Sequence, residues 1–171
     1  MVRERHNLAG RSIALIENHA EELTRGTVQK LQTNPHTQSY RNLSFNDLYG
    51  KVFDVYHNFG RWLLEQTDTA IRTEYNDLGE RRFKEGIPLS EVIWALVLTK
   101  RHLHSYVSAW AFVDSAVELY RRQEFDRMIG QFFDRAICYT VEGYDRMRQS
   151  GSAEQDDLAP THEETHGGWV L

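Results

Sequence analysis

Hydrophobic residues recur at helical spacing through most of the chain. In the first third they repeat every three or four residues, at Leu8, Ile13, Ile16, Ala20, Leu23, Thr27 and Leu31. This is the period of one face of an α-helix, and it predicts a first helix over residues 9–32. Asn34-Pro35 should end that helix, because a residue before proline is disfavoured in the helical conformation. Residues 33–43 are predicted to form a loop.

The same period predicts two more helices in the middle of the chain. Ser44, with Asp47 three residues later, forms a variant of the capping box and should start a helix that reaches about Gln66. Its apolar face would comprise Leu48, Val52, Val55, Phe59, Trp62 and Leu63. Thr67 or Asp68 should cap a third helix that ends near Lys84. The buried side of this third helix would comprise Ile71, Tyr75, Leu78 and Phe83.

Two longer helices are predicted after it. The fourth spans residues 89–114, with a core stripe of Leu89, Ile93, Leu96, Leu103, Val107 and Trp110. The fifth spans residues 115–148, with apolar residues Leu119, Phe125, Met128, Ile129, Phe132, Phe133, Ile137, Val141 and Tyr144. No strand-like alternation of useful length occurs, so the prediction is an all-α, single-domain bundle of about five helices.

The junction between the third and fourth helices carries local signals for a sharp corner. Gly86 can adopt the left-handed conformation that closes a helix, and Pro88 suits a first turn, where no amide hydrogen is needed. Glu91 in that first turn suits the positive end of the helix dipole. These signals predict a helical corner and carry no information about function.

The residues of this corner, from Leu78 to Leu96, resemble the N-terminal domain of the RsbT co-antagonist (RsbR-type) stressosome proteins. The resembling block runs from about Tyr75 to Tyr106. A similar domain stands ahead of some bacterial histidine kinases and transcription regulators. The resemblance implies a sensory or signal-input module that is globin-like in some members without bound haem, and it implies no catalytic chemistry.

Composition narrows the class of protein. A chain of 171 residues suits one domain, predicted here at residues 1–149, followed by a tail at 150–171. No apolar signal segment or bilayer-length apolar run is present, and the single Cys138 rules out an intrachain disulfide framework. These features predict a cytoplasmic protein. Because it lies on an apolar helix, Cys138 is predicted to be a buried thiol.

Charge is concentrated in the predicted tail. The formal net charge is −5, and residues 150–171 hold five acidic residues and no Lys or Arg. The remaining chain therefore has equal numbers of acidic and basic side chains. A neutral domain with an acidic, flexible tail lacks the basic surface of a nucleic-acid binder.

The tail also contains the letters of a zinc-protease motif, His162-Glu163-Glu164-Thr165-His166. In such proteases the two histidines lie one helical turn apart and bind zinc, while the glutamate activates water. Here the motif stands beside Pro160 and Gly167, with only five residues after it. A metallohydrolase is therefore the least favoured alternative.

His104 and His57 are two other candidate ligands. His102 and His104 are two residues apart on a helix, so their rings point about 200° apart and cannot chelate one metal. A half-buried, hydrogen-bonded His104 is the preferred interpretation. The alternative is a haem or metal ligand, with His57 on the second helix as a partner. Haem is open as a cofactor and is not favoured.

The abundant aromatic residues offer a second kind of site. Trp62, Tyr106 and Trp110 could line a ligand pocket between helices, together with Tyr56, Phe59, Trp94 and Phe112, although such rings are more often core. The pairs Arg81-Arg82 and Arg121-Arg122 are predicted to lie on solvated helix faces.

The sequence therefore predicts a non-enzymatic signal-input domain that acts on a protein partner or an attached output module. The alternative is a sensor that binds haem, metal or a small molecule through His104 or His57. A homodimer is also predicted, because Val92, Trp94 and Leu98 lie off the core stripe of the fourth helix. Trp94 and Leu98 are the candidate interface residues, and Trp110 is a second candidate anchor.

Overall fold

The structure is a computed structural model that describes residues 2–65, 67–110 and 115–156. The described chain contains six α-helices, a 3₁₀ turn at Gln38–Asn42 and a π-helical segment at Arg61–Glu65. The α-helices are α1 (Val2–Asn18), α2 (Ala20–Thr33), α3 (Phe45–His57), α4 (Asp68–Lys84), α5 (Leu89–Trp110) and α6 (Ala116–Asp156). No strand occurs in these ranges, so the predicted all-α class is confirmed.

The predicted first helix is divided into α1 and α2, which is one reason why the helices number six and not five. The division lies at His19, whose N–H is shared between the carbonyls of Leu15 and Ile16 at 3.2 Å each. Shared bonds of this kind are common at helix ends. The His19 ring also lies 2.9 Å, through Nδ1, from the Leu15 carbonyl oxygen.

The predicted second helix ends early, at His57. The Asn58 side chain donates to the Asp54 carbonyl at 3.1 Å, and Glu17 of α1 accepts the Gly60 N–H at 2.9 Å. The chain then continues as the π-helical segment. Ser44 stands at the N-cap of α3 but makes no side-chain cap bond, so the predicted capping box is wrong there. Thr67 does cap α4, by accepting the Ala70 N–H at 3.2 Å.

Buried side chains form two clusters. The larger one packs around the aromatic side of α6, and its largest fully buried side chains are Tyr56, Phe59, Phe125, Phe132 and Phe133. The smaller one lies beside the corner between α4 and α5 and comprises Val28, Leu31, Tyr40, Leu48, Ile87, Val92 and Ala95. Both α2 and α5 contribute to both clusters, so the two clusters are parts of one folded body.

Several predictions about which side chains are buried and which are exposed are wrong. Val92 is buried, although it was predicted to lie off the core stripe, because α5 also faces the smaller cluster. Trp110 and Leu119, predicted in core stripes, are 59% and 48% exposed. Arg82 is buried and not on a solvated face, whereas Cys138 is exposed and not a buried thiol.

The helices α4 and α6 make the most extensive contact in the molecule, and two glycines let their backbones touch. A Cβ atom added to Gly79 would lie 2.1 Å from the Thr140 carbonyl oxygen. One added to Gly143 would lie 2.1 Å from the Asn76 carbonyl oxygen. No side chain fits at either position, so α4 and α6 cross at the closest approach that glycine allows.

The predicted corner forms, and its caps are local. Gly86 has a φ of +71°, the Gly86 N–H bonds to the Phe83 carbonyl at 2.9 Å, and the Ile87 N–H bonds to the Arg82 carbonyl at 3.0 Å. This is the Schellman arrangement, with the apolar Ile87 buried after the glycine. Pro88 stands just before α5, where its carbonyl accepts the Val92 N–H at 3.2 Å.

The last helix continues beyond the predicted end of the domain at residue 149. Its backbone is helical as far as Asp156. The predicted boundary between domain and tail stays a prediction, and the tail motif at residues 162–166 lies outside the described residues, as does Phe112.

Candidate functional site

A cavity of about 110 Å³ lies where α3, α4 and α5 meet. Most of its walls are aliphatic, and the residues that form them include Leu48, Val52, Val55, Leu78, Val92 and Leu96. Phe133 of α6 also lines the cavity. The lining includes three residues of the block that carries the family resemblance, which are Leu78, Val92 and Leu96. That block therefore shapes the cavity as well as the corner.

Charged side chains also line this cavity. Lys51 of α3 and Glu74, Arg81 and Arg82 of α4 contribute to it. Arg82 pairs with Glu85, and its guanidinium lies 5.3 Å from the centre of the Tyr40 ring. Within the described part of the chain, the Nε atoms of Arg81 and Arg82 are buried and have no hydrogen-bond partner.

Three tyrosines complete the lining. Burial raises the pKa of Tyr40 to about 12, against the opposing effect of Arg82. Burial likewise raises the pKa of Tyr56 and of Tyr75. The Tyr56 hydroxyl bonds to the Thr27 hydroxyl at 2.9 Å. All three phenols are therefore uncharged at neutral pH and can act as neutral hydrogen-bonding groups.

The predicted aromatic site is only partly assembled. Tyr106 and Trp110 lie together with their ring centres 6.2 Å apart, and His19 packs against both, at 6.0 and 5.5 Å. The Tyr106 hydroxyl donates to Glu22 at 2.9 Å, and burial and Glu22 raise its pKa to about 12. Trp62 lies elsewhere, buried in the larger cluster, where its indole N–H has no partner among the described residues.

The two candidate histidine ligands lie in different environments. His57 is exposed, stacks on Phe53 at 5.1 Å and borders a surface recess that His19 also lines. His104 is half-buried, and its Nδ1 lies 3.1 Å from Asp126 Oδ1 on α6. No described contact joins His57 to His104, and neither lines the apolar cavity.

The candidate interface residues also differ in exposure. Trp94 is half-buried, stacked on His36 at 4.4 Å, with Arg101 5.7 Å from its ring centre. Leu98 is half-buried against the smaller cluster. Their roles at an interface stay predictions, as do the ligand roles of His57, His104, Trp62, Tyr106 and Trp110.

Sequence reasoning missed the charged lining of the cavity, although a signal for it was present. Tyr75, Leu78 and Arg82 are spaced by three and four residues, so Arg82 lies on the buried stripe of α4. The acids that follow the arginine pair suggested local pairing in solvent instead. Lys51 and Glu74 gave no such signal, because single charged residues are common on helix surfaces.

Metal and haem each require ligands that the described residues would have to bring together. Within the described ranges, no group of three or more His, Cys, Asp or Glu side chains is placed to hold a metal ion. The apolar cavity offers haem no histidine ligand, because neither His57 nor His104 lines it. Haem binding through His57 or His104 at another place stays a prediction, which an absorbance spectrum after addition of haemin would test.

The fold and the cavity define an all-helical domain with a partly open, largely apolar site near a tight helical corner. None of its described helices combines the length and apolar character needed to cross a bilayer. The family model of the RsbT co-antagonist protein rsbRD N-terminal domain matches residues 21–159, so the chain belongs to this family of stress-response sensor domains. Searches of curated proteins and of solved structures returned no significant match.

Proposed function

We propose that the chain is a non-enzymatic, cytoplasmic signal-input domain that controls a protein partner or an attached output module. Family membership over residues 21–159 is the observation that carries this proposal. The apolar cavity supports it, because a largely apolar cleft between helices with a few polar groups suits ligand binding.

A physical route connects the cavity to the rest of the fold. Phe133 of α6 lines the cavity, and α6 also contacts α1, α4 and α5. Further along α6, the Tyr144 hydroxyl donates to the Ile87 carbonyl in the corner at 2.9 Å, and its ring meets Phe83 edge-on at 5.3 Å. A change at the cavity or the corner is thereby passed to α6, whose position an output partner can sense.

The test is genetic. The encoding bacterium would carry a deletion of this gene, the Tyr144→Phe variant or the matched control Tyr49→Phe, and stress-induced transcription would be measured. We expect the deletion and Tyr144→Phe to change the size of the response. Tyr49 contacts Phe45 and Phe53 through its ring, which the substitution keeps, so its variant should behave as wild type. An unchanged stress response in the deletion strain would refute the proposal.

We also propose that the domain forms a homodimer. Trp110, Val117, Leu119 and Tyr120 are between 48% and 59% exposed, and they lie on the two sides of the α5–α6 junction. Large exposed apolar side chains grouped in this way are typical of interfaces. Trp110 is therefore a better supported anchor than Trp94, which is half-buried.

Sedimentation equilibrium at micromolar concentration tests the dimer. We expect twice the chain mass of 20.1 kDa for wild type and a shift toward the monomer for Trp110→Ala. Phe45→Ala is a matched control, because Phe45 is also exposed but lies on α3. A single 20.1 kDa species for wild type would refute the dimer.

A further inference from the structure

The apolar cavity is the right size for a small organic ligand. A cavity of about 150 Å³ lined by aliphatic and aromatic residues binds benzene, and the volume here is about 110 Å³. A body of roughly four or five carbon atoms is therefore enough to fill this volume. Leu78, Val92 and Leu96 would contact such a body on the side of the corner.

The charges around the cavity select the ligand's polar group. Three cationic side chains, Lys51, Arg81 and Arg82, line it against one acid, Glu74. Arg82 is engaged with Glu85, whereas the Arg81 side chain makes no ion pair or hydrogen bond within the described chain. The buried Nε atoms of both arginines lack acceptors there, which is costly unless a ligand supplies one.

A carboxylate meets this need better than other groups. Its two oxygens match the planar donors of a guanidinium, and such charge-assisted bonds are strong where water is excluded. A neutral hydrocarbon would leave the arginine donors unpaired. A bare inorganic anion would leave the aliphatic walls unfilled, and a cationic ligand would be repelled.

We propose that this cavity binds a small aliphatic monocarboxylate, with Arg81 and Lys51 holding the carboxylate and the aliphatic walls holding the chain. The idea that this ligand is the signal received by the domain rests on the proposed function. The idea that the cavity binds it rests on the cavity alone. Ligand binding would draw α4 toward α3, since Lys51 and Arg81 come from these two helices.

Isothermal titration calorimetry on the full chain tests the site, with pentanoate as the probe. Pentan-1-ol, which has the same body without the charge, and inorganic phosphate are the comparison ligands. We expect pentanoate to bind with a Kd of about 1 mM or below, and the other two to bind at least about tenfold more weakly. No heat with pentanoate, or equal affinity for pentan-1-ol, would overturn the proposal.

Two variants separate the carboxylate contact from the cavity itself. Arg81→Gln should weaken pentanoate binding by about tenfold or more, because it removes a charged donor. Arg101→Gln is the matched control, since Arg101 is exposed and lies outside the cavity. Ala95→Leu should fill part of the cavity and abolish binding without unfolding the protein, as circular dichroism would verify. Undiminished binding by Arg81→Gln would overturn the assignment.

The outcome is independent of the genetic test. Pentanoate binding without any effect of the gene on the stress response would leave the site in place and refute the proposed function. A stress phenotype without pentanoate binding would support the proposed function and refute the binding site.

Discussion

Gly79 and Gly143 show at the scale of single residues how the bundle tolerates its closest contact. Each meets a backbone carbonyl of the facing helix, and a backbone atom cannot move aside as the end of a flexible side chain can. Two glycines within helices also carry a conformational cost. The packing free energy gained at the close crossing of α4 and α6 must therefore exceed the conformational cost of the two glycines.

Gly79→Ala should therefore destabilise the fold by about 3 kcal/mol, the upper end of the range for overpacking a core. Gly130→Ala, within α6, is the matched control for this α4 glycine, because an added Cβ there meets nothing within 4 Å. The control should be neutral or stabilising by up to about 1 kcal/mol, as alanine favours a helix over glycine. Urea unfolding followed by circular dichroism measures both. Equal stability of the two variants would contradict the crossing described here.

The buried hydroxyls of Thr27 and Tyr56 form a hydrogen bond whose contribution can be measured residue by residue. They bond to each other at 2.9 Å between α2 and α3, and both residues are at most 1% exposed. Tyr56→Phe or Thr27→Val alone should cost about 1–3 kcal/mol by leaving the remaining hydroxyl unpaired. The double variant should cost clearly less than the sum. Additive losses in urea unfolding would show that the two hydroxyls act independently.

At the scale of elements, the sequence predicted the boundaries best where the signals are local. The caps of α4 and the start of α5 depend on Thr67, Gly86 and Pro88, each of which acts on its immediate neighbours. The end of α3 depends on Glu17 of α1, which accepts the Gly60 N–H from 43 residues away. No pattern within a short window can reveal such a contact. The same holds for the face of α5, because the smaller cluster that buries Val92 is built by α2, α3 and the 3₁₀ turn.

The candidate site was predicted less well than the fold, for a related reason. Periodicity marks which side of a helix is buried, but a cavity is a space left between helices. The resembling block pointed to Leu78, Val92 and Leu96 without showing that they face one another. Cys138 illustrates the limit in the other direction, since its helix carries a buried apolar face while Cys138 itself is exposed.

The contact between α2 and α5 predicts a dependence of stability on pH. His102 of α5 packs against Gly26 of α2, where an added Cβ would lie 2.7 Å from its Nε2 atom. Burial, followed by the nearby charge of Lys30, lowers the pKa of His102 below its ordinary value of 6.5, against the opposing effects of a hydrogen bond to the Leu23 backbone and of Glu22. The unfolded chain therefore binds this proton more readily than the folded chain does. The stability that the neutral ring contributes is complete above pH 6.5 and is lost as the pH falls below that value.

Urea midpoints between pH 7.5 and 5.5 test this dependence. We expect the wild-type midpoint to decrease on acidification, and the decrease to be smaller in His102→Gln. Arg101→Gln, the neighbouring substitution on α5, should keep the wild-type decrease. Identical pH profiles for His102→Gln and wild type would remove His102 as the cause.

At the scale of the whole molecule, the two buried clusters are expected to unfold together. The helix α2 places Leu23 in the larger cluster and Leu31 in the smaller one, and α5 likewise divides Leu103 and Val92 between them. Neither cluster can lose its packing without disturbing a helix that supports the other. Cooperative unfolding without a populated intermediate follows for a domain of this size.

Coincident urea transitions would confirm this cooperativity. Circular dichroism follows all helices, and tryptophan fluorescence reports on Trp62 in the larger cluster and Trp94 beside the smaller one. We expect the same midpoint from both measurements. Separate midpoints would mean that the corner with its cluster melts as an independent unit.

The glycine crossing also has a mechanical consequence, because it makes α6 a lever with a fulcrum at Gly143. At 1.5 Å per residue, Phe133 beside the cavity lies about 15 Å to one side of this fulcrum and Asp156 about 20 Å to the other. A rigid tilt that shifts Phe133 by about 1 Å would shift Asp156 by about 1.3 Å in the opposite direction. Small displacements at the cavity would thus reach the far arm of α6 slightly enlarged and reversed in sign.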